Sequence, residues 1–374
     1  MKCIKCGTDN NLKDRTANNG RCKSCKHRFT FDPKASKEIT FTDPFFANTI
    51  RLISAENTLF FTPRQFYYFF NGRKNKQAGC LQALGCLLIF IGAIGCVILL
   101  IETRSVISLF MLLFLFAGIA LLVPAVQRRL VAGQPKKATV APHQVNQWLD
   151  RWKRANGSVP KLLPPPATSL EPARVNPDVQ AYSFDRLIVC ERESVAQFLI
   201  ANNFHFEHNC AVLAIDGYPH NLFDTVMRML RRNPALKVYA LHNATPSGVH
   251  LVHRLMTDPK WFKESSGVTV YDLGLLPRQV MNRRMFIEQS EGMAEQARKG
   301  MAPEVRHSLR PDEIKWLEEG YHVDLESIPP KQLLRVITLG IAKSRDPQAD
   351  DTLVPVYGGY SDGGGAIYAS DSFG

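Results

Sequence analysis

The chain has 374 residues, 45% of them hydrophobic and 21% charged, with a formal net charge of +12. That balance excludes a disordered, highly charged chain, and nine cysteines over this length are too sparse for a disulfide-built scaffold. The length admits two or three domains; much of the positive excess sits in residues 1–32 and beside two long uncharged runs, which makes basicity weaker evidence for DNA than in a soluble protein.

Residues 1–32 open with Cys3 and Cys6 in one C-x-x-C pair and Cys22 and Cys25 in another, fifteen residues apart. Two such knuckles bring four thiolates to one tetrahedral ion, the pattern of a zinc ribbon. The intervening residues are too polar to build a core, so the metal is expected to supply the folding energy. Lys2, Lys5, Lys13, Arg15, Arg21, Lys23, Lys26 and Arg28, followed by Phe29 and Phe31, suit DNA or another nucleic acid. A structural or protein-docking ribbon has the same composition, and both readings stand.

Residues 40–75 carry two helix starts, Asp43-Pro44 and Thr62-Pro63. Two short helices with a tight connection make a helix-turn-helix or part of a winged helix. Within them, Arg64-Gln65-Phe66-Tyr67-Tyr68 resembles the segment bearing the tyrosine nucleophile of type IIB topoisomerase A subunits. The resemblance makes Tyr68 the candidate nucleophile toward DNA phosphate. The competing reading makes Tyr67, Tyr68, Phe69 and Phe70 packing or interface aromatics.

Residues 79–101 and 105–126 contain no charged side chain, and each exceeds the roughly 20 apolar residues that span a bilayer as a helix. The expectation is a transmembrane hairpin over 79–126, holding Cys80, Cys86 and Cys96, with the lipid bilayer as a partner. Lys and Arg on both flanks place both termini in the cytoplasm. Residues 138–156 then show Val145, Trp148, Leu149 and Trp152 on one helical face beside Arg151, Lys153 and Arg154. So close to a membrane span, this amphipathic helix is expected at the interface; docking onto the following domain is the alternative. Proline-rich residues 157–181 read as a linker.

From 182 to 280, short apolar runs alternate with helical segments, the pattern of a parallel sheet covered on both faces. Ligands bind such sheets at the carboxyl ends of the strands. Those ends hold Glu191, then Asp216 and Gly217, then His242 and Asn243, then Asp272. Cys190 and Cys210 lie in the apolar runs as buried thiols. His250 and His253 can share a helix face but lack an evident third ligand.

The segments around Glu191, "AIDGYP", "ALHNATPSG" with Gly248, and "VYDLGLLPRQV" resemble the Toprim domain of type IIB topoisomerase A subunits and Wadjet-type nuclease subunits. The resemblance implies an acidic Mg²⁺ site with Glu191 as a catalytic residue. Asn243 and Thr245 stand where it places two acids, which removes two charges from a hard-cation site. Mg²⁺ held by Glu191 and Asp216 is the reading this loss opposes. Residues 281–350 read as a helical extension with a short strand near "HVDLESI", and 351–374 as a disordered tail.

The expected class is therefore a multidomain α/β membrane protein: zinc ribbon, helical segment, transmembrane hairpin and Toprim-like domain. Two functions compete. One is an anchored protein that binds nucleic acid or a protein partner through a degenerate Toprim-like domain. The other is a membrane-tethered, Mg²⁺-dependent nuclease or DNA-breaking enzyme, of a defence type among the options, that uses Glu191 and Tyr68.

Overall fold

Four short apolar runs pair into one parallel sheet: β1 (Arg186–Cys190), β2 (Cys210–Ala214), β3 (Lys237–Leu241) and β4 (Thr269–Asp272), in the order β2-β1-β3-β4. In this computed structural model, the described residues are 1–35, 39–75, 136, 138–166, 184–231, 233, 236–263, 268–281 and 283–343. Alternation along each strand divides the core in two. Ile188, Cys190, Val212, Ala214, Tyr239 and Leu241 enter one buried cluster, while Leu187, Val189, Ala211, Leu213, Val238 and Ala240 enter the other. Both faces of β1, β2 and β3 are thus covered, which is why these strands are mostly apolar, while β4 at the sheet edge stays partly exposed. Cys190 and Cys210 are buried free thiols, and burial pushes the Cys210 thiol up to about 12.

The helix Glu193–Ala201 follows β1, Phe223–Leu230 follows β2, and Pro246–Val249 with Leu251–Thr257 follows β3. Beyond the sheet, β5 (Glu288–Gln289) and β6 (Tyr321–His322) form a two-stranded antiparallel ribbon. The helices Glu291–Gly300, Pro311–Glu318 and Pro330–Lys343 pack against the first cluster through Ala297, Leu317 and Ile337.

A separate aromatic core joins described residues between 31 and 70 to those between 140 and 159. The helix Asp43–Ile53, a helix over 63–75 and the helix Pro142–Asn156 meet around Phe31, Phe41, Phe46, Phe66, Phe70 and Trp152. Thr62 opens the helix over 63–75 with a reciprocal cap: its backbone N–H donates to Gln65 Oε1 at 2.9 Å, and Gln65 N–H donates to its hydroxyl at 3.1 Å. Asp43 does not cap its own helix. Its buried carboxylate accepts the backbone N–H groups of Thr30 (3.0 Å) and Phe31 (2.6 Å), tying the end of the cysteine segment to this core.

The expected membrane protein is corrected at this point. Among the described residues no helix is long and apolar enough to cross a membrane. The two runs predicted as a transmembrane hairpin, at 79–101 and 105–126, lie outside the described residues with Cys80, Cys86 and Cys96. The multi-pass placement with cytoplasmic termini and the lipid bilayer as partner are not retained. The helix Pro142–Asn156 shows why periodicity misled: Val145, Leu149 and Trp152 are buried against protein, in the aromatic core rather than at a lipid interface. Phe29 and Phe31, expected beside the basic groups as a contact surface, are also buried. Much of the predicted linker, and the tail at 351–374, lie outside the described residues.

Candidate functional site

The four cysteines expected to share a metal do converge. Their sulfur atoms all lie within 4.8 Å of one another, with Cys3 to Cys25 and Cys6 to Cys22 both at 3.6 Å. A tetrahedron of thiolates with metal–sulfur bonds near 2.3 Å has edges of about 3.8 Å, so the donor set fits a tetrahedral ion. Each knuckle is closed by its own backbone. Gly7 N–H donates to the Cys3 carbonyl at 2.9 Å, and Lys26 N–H donates to the Cys22 carbonyl at 3.0 Å. Burial pushes the Cys3 thiol up to about 11, whereas hydrogen bonding to Thr8 draws Cys6 down to about 6. Among the described residues, no other group of three or more Cys, His, Asp or Glu side chains is close enough to hold a metal.

At the carboxyl edge of the sheet, Glu191 follows β1 and remains registered with β3 through its N–H, which donates to Leu241 O at 2.9 Å. Its carboxylate is surrounded by donors from the loop after β3. Asn243 N–H reaches Oε2 at 2.8 Å, and the hydroxyls of Thr245 and Ser247 reach Oε1 at 3.0 and 2.7 Å. The position that resemblance assigns to a metal-bound carboxylate is satisfied by neutral donors of its own chain. Thr245 also caps the short helix Pro246–Val249 by accepting Gly248 N–H at 2.9 Å. A side chain at Gly248 would overlap the Asn243 carbonyl, so this tight turn requires glycine.

His242 lies at the buried end of β3 with an acceptor at each ring nitrogen: Asn243 O is 2.8 Å from Nδ1, and Asp272 Oδ1 is 2.9 Å from Nε2. Two acceptors require two N–H donors, so the ring is an imidazolium paired with the Asp272 carboxylate. Burial opposes this charge, but Asp272 outweighs it and raises the ring to about 9. Burial likewise acts to raise the Asp272 carboxyl, and His242 holds it below its ordinary range. The close approach of Gly274 completes the arrangement, because a Cβ there would strike the imidazole ring.

This pair makes stability pH-dependent. A histidine raised from 6.5 to about 9 stabilises the fold fully below 6.5 and loses that contribution as pH rises through 9. The lowered Asp272 contributes above its ordinary range and loses its contribution on acidification. Urea unfolding of the natural chain and Asp272→Asn is expected to differ by roughly 3 kcal/mol near pH 6, with the gap closing by pH 10. A gap constant between pH 6 and 10 would exclude the imidazolium assignment.

Asp216 and Gly217, also predicted at this edge, stand apart. Asp216 is exposed, with Arg254 Nη2 at 3.9 Å, while Lys260 donates to its backbone carbonyl at 3.3 Å. No hydrogen bond or ion pair joins Asp216 to Glu191 among the described residues. His250 and His253 stack with ring centroids 5.0 Å apart and gain no metal-binding neighbour in the structure described. A groove of about 420 Å³ runs beside Asp272, His253, Arg278 and Glu304; Glu191 and Tyr68 do not line it.

Tyr68 is 1% exposed. Its hydroxyl lies 2.7 Å from Asp324 Oδ2 and 3.0 Å from Glu288 Oε1, sharing one proton between two carboxylates. Burial and these two carboxylates drive its pKa far above the ordinary phenol value. Arg64 pairs with Asp324 and lies 3.7 Å from Glu288. Arg192 reaches Asp324 at 3.1 Å and Glu326 at 3.8 Å. The Thr62 hydroxyl donates to Glu326 at 2.5 Å, and His322 approaches Glu288 at 3.6 Å. Sequence reading missed Arg64, Arg192, Glu288, Asp324 and Glu326 as a set. The signal was faint: two acids, Asp324 and Glu326, within an apolar segment.

This network is joined to the Glu191 loop. Ala244 and Val323 exchange backbone hydrogen bonds at 2.9 and 3.2 Å. Asn243 Oδ1 accepts Leu325 N–H at 2.7 Å, leaving the Asn243 amide nitrogen buried without a partner. No protein-family description matches the chain, and no curated protein matches it.

Proposed function

We propose that this is a nucleic-acid-binding protein in which a zinc-loaded ribbon makes the contact and a Toprim-like α/β domain serves as a scaffold without cleavage chemistry. One observation carries the second half of this reading. The Glu191 carboxylate accepts hydrogen bonds from Asn243 N–H and the Thr245 and Ser247 hydroxyls, so a hard cation would have to displace three donors without the two missing acids to offset its charge. Zn²⁺ suits the four-thiolate set, since it accepts soft sulfur ligands in tetrahedral geometry. It would be held by Cys3, Cys6, Cys22 and Cys25 as a structural ion.

The DNA-breaking alternative needs the Tyr68 oxygen to reach a phosphate as a nucleophile. Its burial and its two carboxylate partners oppose both access and ionisation. Support for nucleic acid comes from the ribbon, where eight Lys and Arg stand against three Asp over residues 1–32. All of these bases except Arg15 are exposed. A plasmid assay with Mg²⁺ or Mn²⁺, beside Glu191→Ala, is expected to show retention that weakens with salt. No nicking above the Glu191→Ala level is expected. Glu191-dependent nicking would overturn the scaffold reading in favour of an enzyme.

A further inference from the structure

The two cysteine knuckles are structural repeats, and they differ at one equivalent pair of positions. The residue before the first cysteine of each pair faces the residue three beyond the second cysteine across an antiparallel bridge: Lys2 with Asp9, and Arg21 with Arg28. In the first knuckle the flanking bonds run from Cys3 N–H to Thr8 O (3.0 Å) and from Asn10 N–H to Met1 O (3.1 Å). In the second they run from Cys22 N–H to His27 O (2.8 Å) and from Phe29 N–H to Gly20 O (2.9 Å). In both cases the facing residues form the non-hydrogen-bonded type of pair, in which side chains come closest.

The first knuckle fills this narrow pair with opposite charges. The second fills it with two arginines, and like charges directly opposite are destabilising. Both Arg21 and Arg28 are exposed, and neither has a carboxylate partner among the described residues. Their basic neighbours are already engaged: Lys23 with Asp14 at 3.0 Å, Lys26 with Asn18 at 2.8 Å, and Arg15 with Asp32 at 2.6 Å. Lys5 and Lys13 are also exposed, but the facing pair of like charges is specific to the second knuckle.

We infer that Arg21 and Arg28 form a clamp for the phosphate backbone of duplex nucleic acid. This rests on the nucleic-acid reading above and specifies its ligand. Arg21 and Arg28 face one another across the bridge, and guanidinium groups on such a pair can take phosphate oxygens bidentately with their planar forks. A strand of stacked bases needs exposed aromatic platforms, and the ribbon has none: Phe29 and Phe31 are its only Phe, Tyr or Trp side chains, and both are buried. Backbone charge density is highest on a duplex, so the duplex is preferred over the single strand. Phosphate contacts alone carry no base sequence, so binding is indifferent to it.

The test is fluorescence anisotropy with the full chain, a mixed-sequence duplex and one of its separated strands, over a series of salt concentrations. The natural chain is expected to bind the duplex more tightly. Arg21→Gln/Arg28→Gln is expected to weaken duplex binding about tenfold and to flatten the log K against log salt slope by about 1.8. Arg298→Gln/Lys299→Gln removes the same charge from a distant helix and is expected to keep the natural slope. Metal content, measured on every variant, separates a lost clamp from a lost ribbon fold. An unchanged slope in the metal-loaded Arg21/Arg28 variant, or preference for the single strand, overturns the clamp while leaving nucleic-acid binding intact. Absence of duplex and single-strand binding by the natural chain overturns the underlying reading instead.

Discussion

Cys22→Ser is expected to unfold residues 1–31 while leaving the parallel sheet intact. The cysteine segment's own apolar cluster is only Cys3, Cys22 and Phe29, with Met1 and Cys25 packed alongside, far too little apolar surface for a segment of this length to fold alone. A four-thiolate zinc site supplies roughly 10 to 16 kcal/mol of apparent binding energy, which dwarfs that core. Losing one ligand would remove a bound ion's hold on both knuckles together, since each contributes two sulfurs to the same cluster. The damage is expected to spread only as far as Phe31, whose ring contacts Phe41 and Phe46 at centroid distances of 4.8 Å. Limited trypsin digestion reads this directly. Cleavage at Lys23 and Arg28 should be slow in the natural chain, fast in Cys22→Ser, and equally fast after treatment with a strong chelator. Resistance in the variant would mean that backbone hydrogen bonds, not a metal, hold the knuckles.

The cysteine cluster was legible in sequence because its geometry is local: two residues between cysteines fix each knuckle, and only the meeting of the two knuckles is tertiary. The sheet was legible for a related reason. Runs such as Arg186–Cys190 and Lys237–Leu241 are apolar on both faces because helices cover both. Destination was less visible than amphipathicity. The stripe of Val145, Leu149 and Trp152 has the same period whether lipid or protein covers it, and here the partner is an aromatic cluster that includes Phe31 and Phe46.

The candidate site shows the same limit more sharply. That two neutral side chains, Asn243 and Thr245, stand in the loop after β3 could be read directly. Their use, with Ser247, as donors to Glu191 could not, because it depends on the loop folding back across the sheet edge. Tyr68 was singled out by a local pattern, but its environment is set by Asp324, 256 residues away along the chain. A motif names a side chain; its accessibility and ionisation are decided by whatever distant segment packs against it.

That dependence makes Asp324→Ala the largest expected single-residue effect outside the cysteine cluster. The Asp324 side chain is fully buried and receives Arg64, Arg192 and the Tyr68 hydroxyl at once. Truncation leaves two guanidinium groups and a phenol without their common acceptor. Breaking a buried pair costs about 3 to 5 kcal/mol, and partial exposure of both arginines places this case near the lower end. Asp324→Asn keeps one acceptor oxygen without the charge and is expected to recover part of the loss. Tyr68→Phe removes one hydrogen bond to a charged group, about 1.5 to 3 kcal/mol. Urea unfolding of the singles and of Tyr68→Phe/Asp324→Asn should reveal strong non-additivity, because both changes act on the same contact. Strict additivity would place the Tyr68 hydroxyl outside the network. Tyr68→Phe with natural stability but abolished DNA nicking would return Tyr68 to the role of nucleophile.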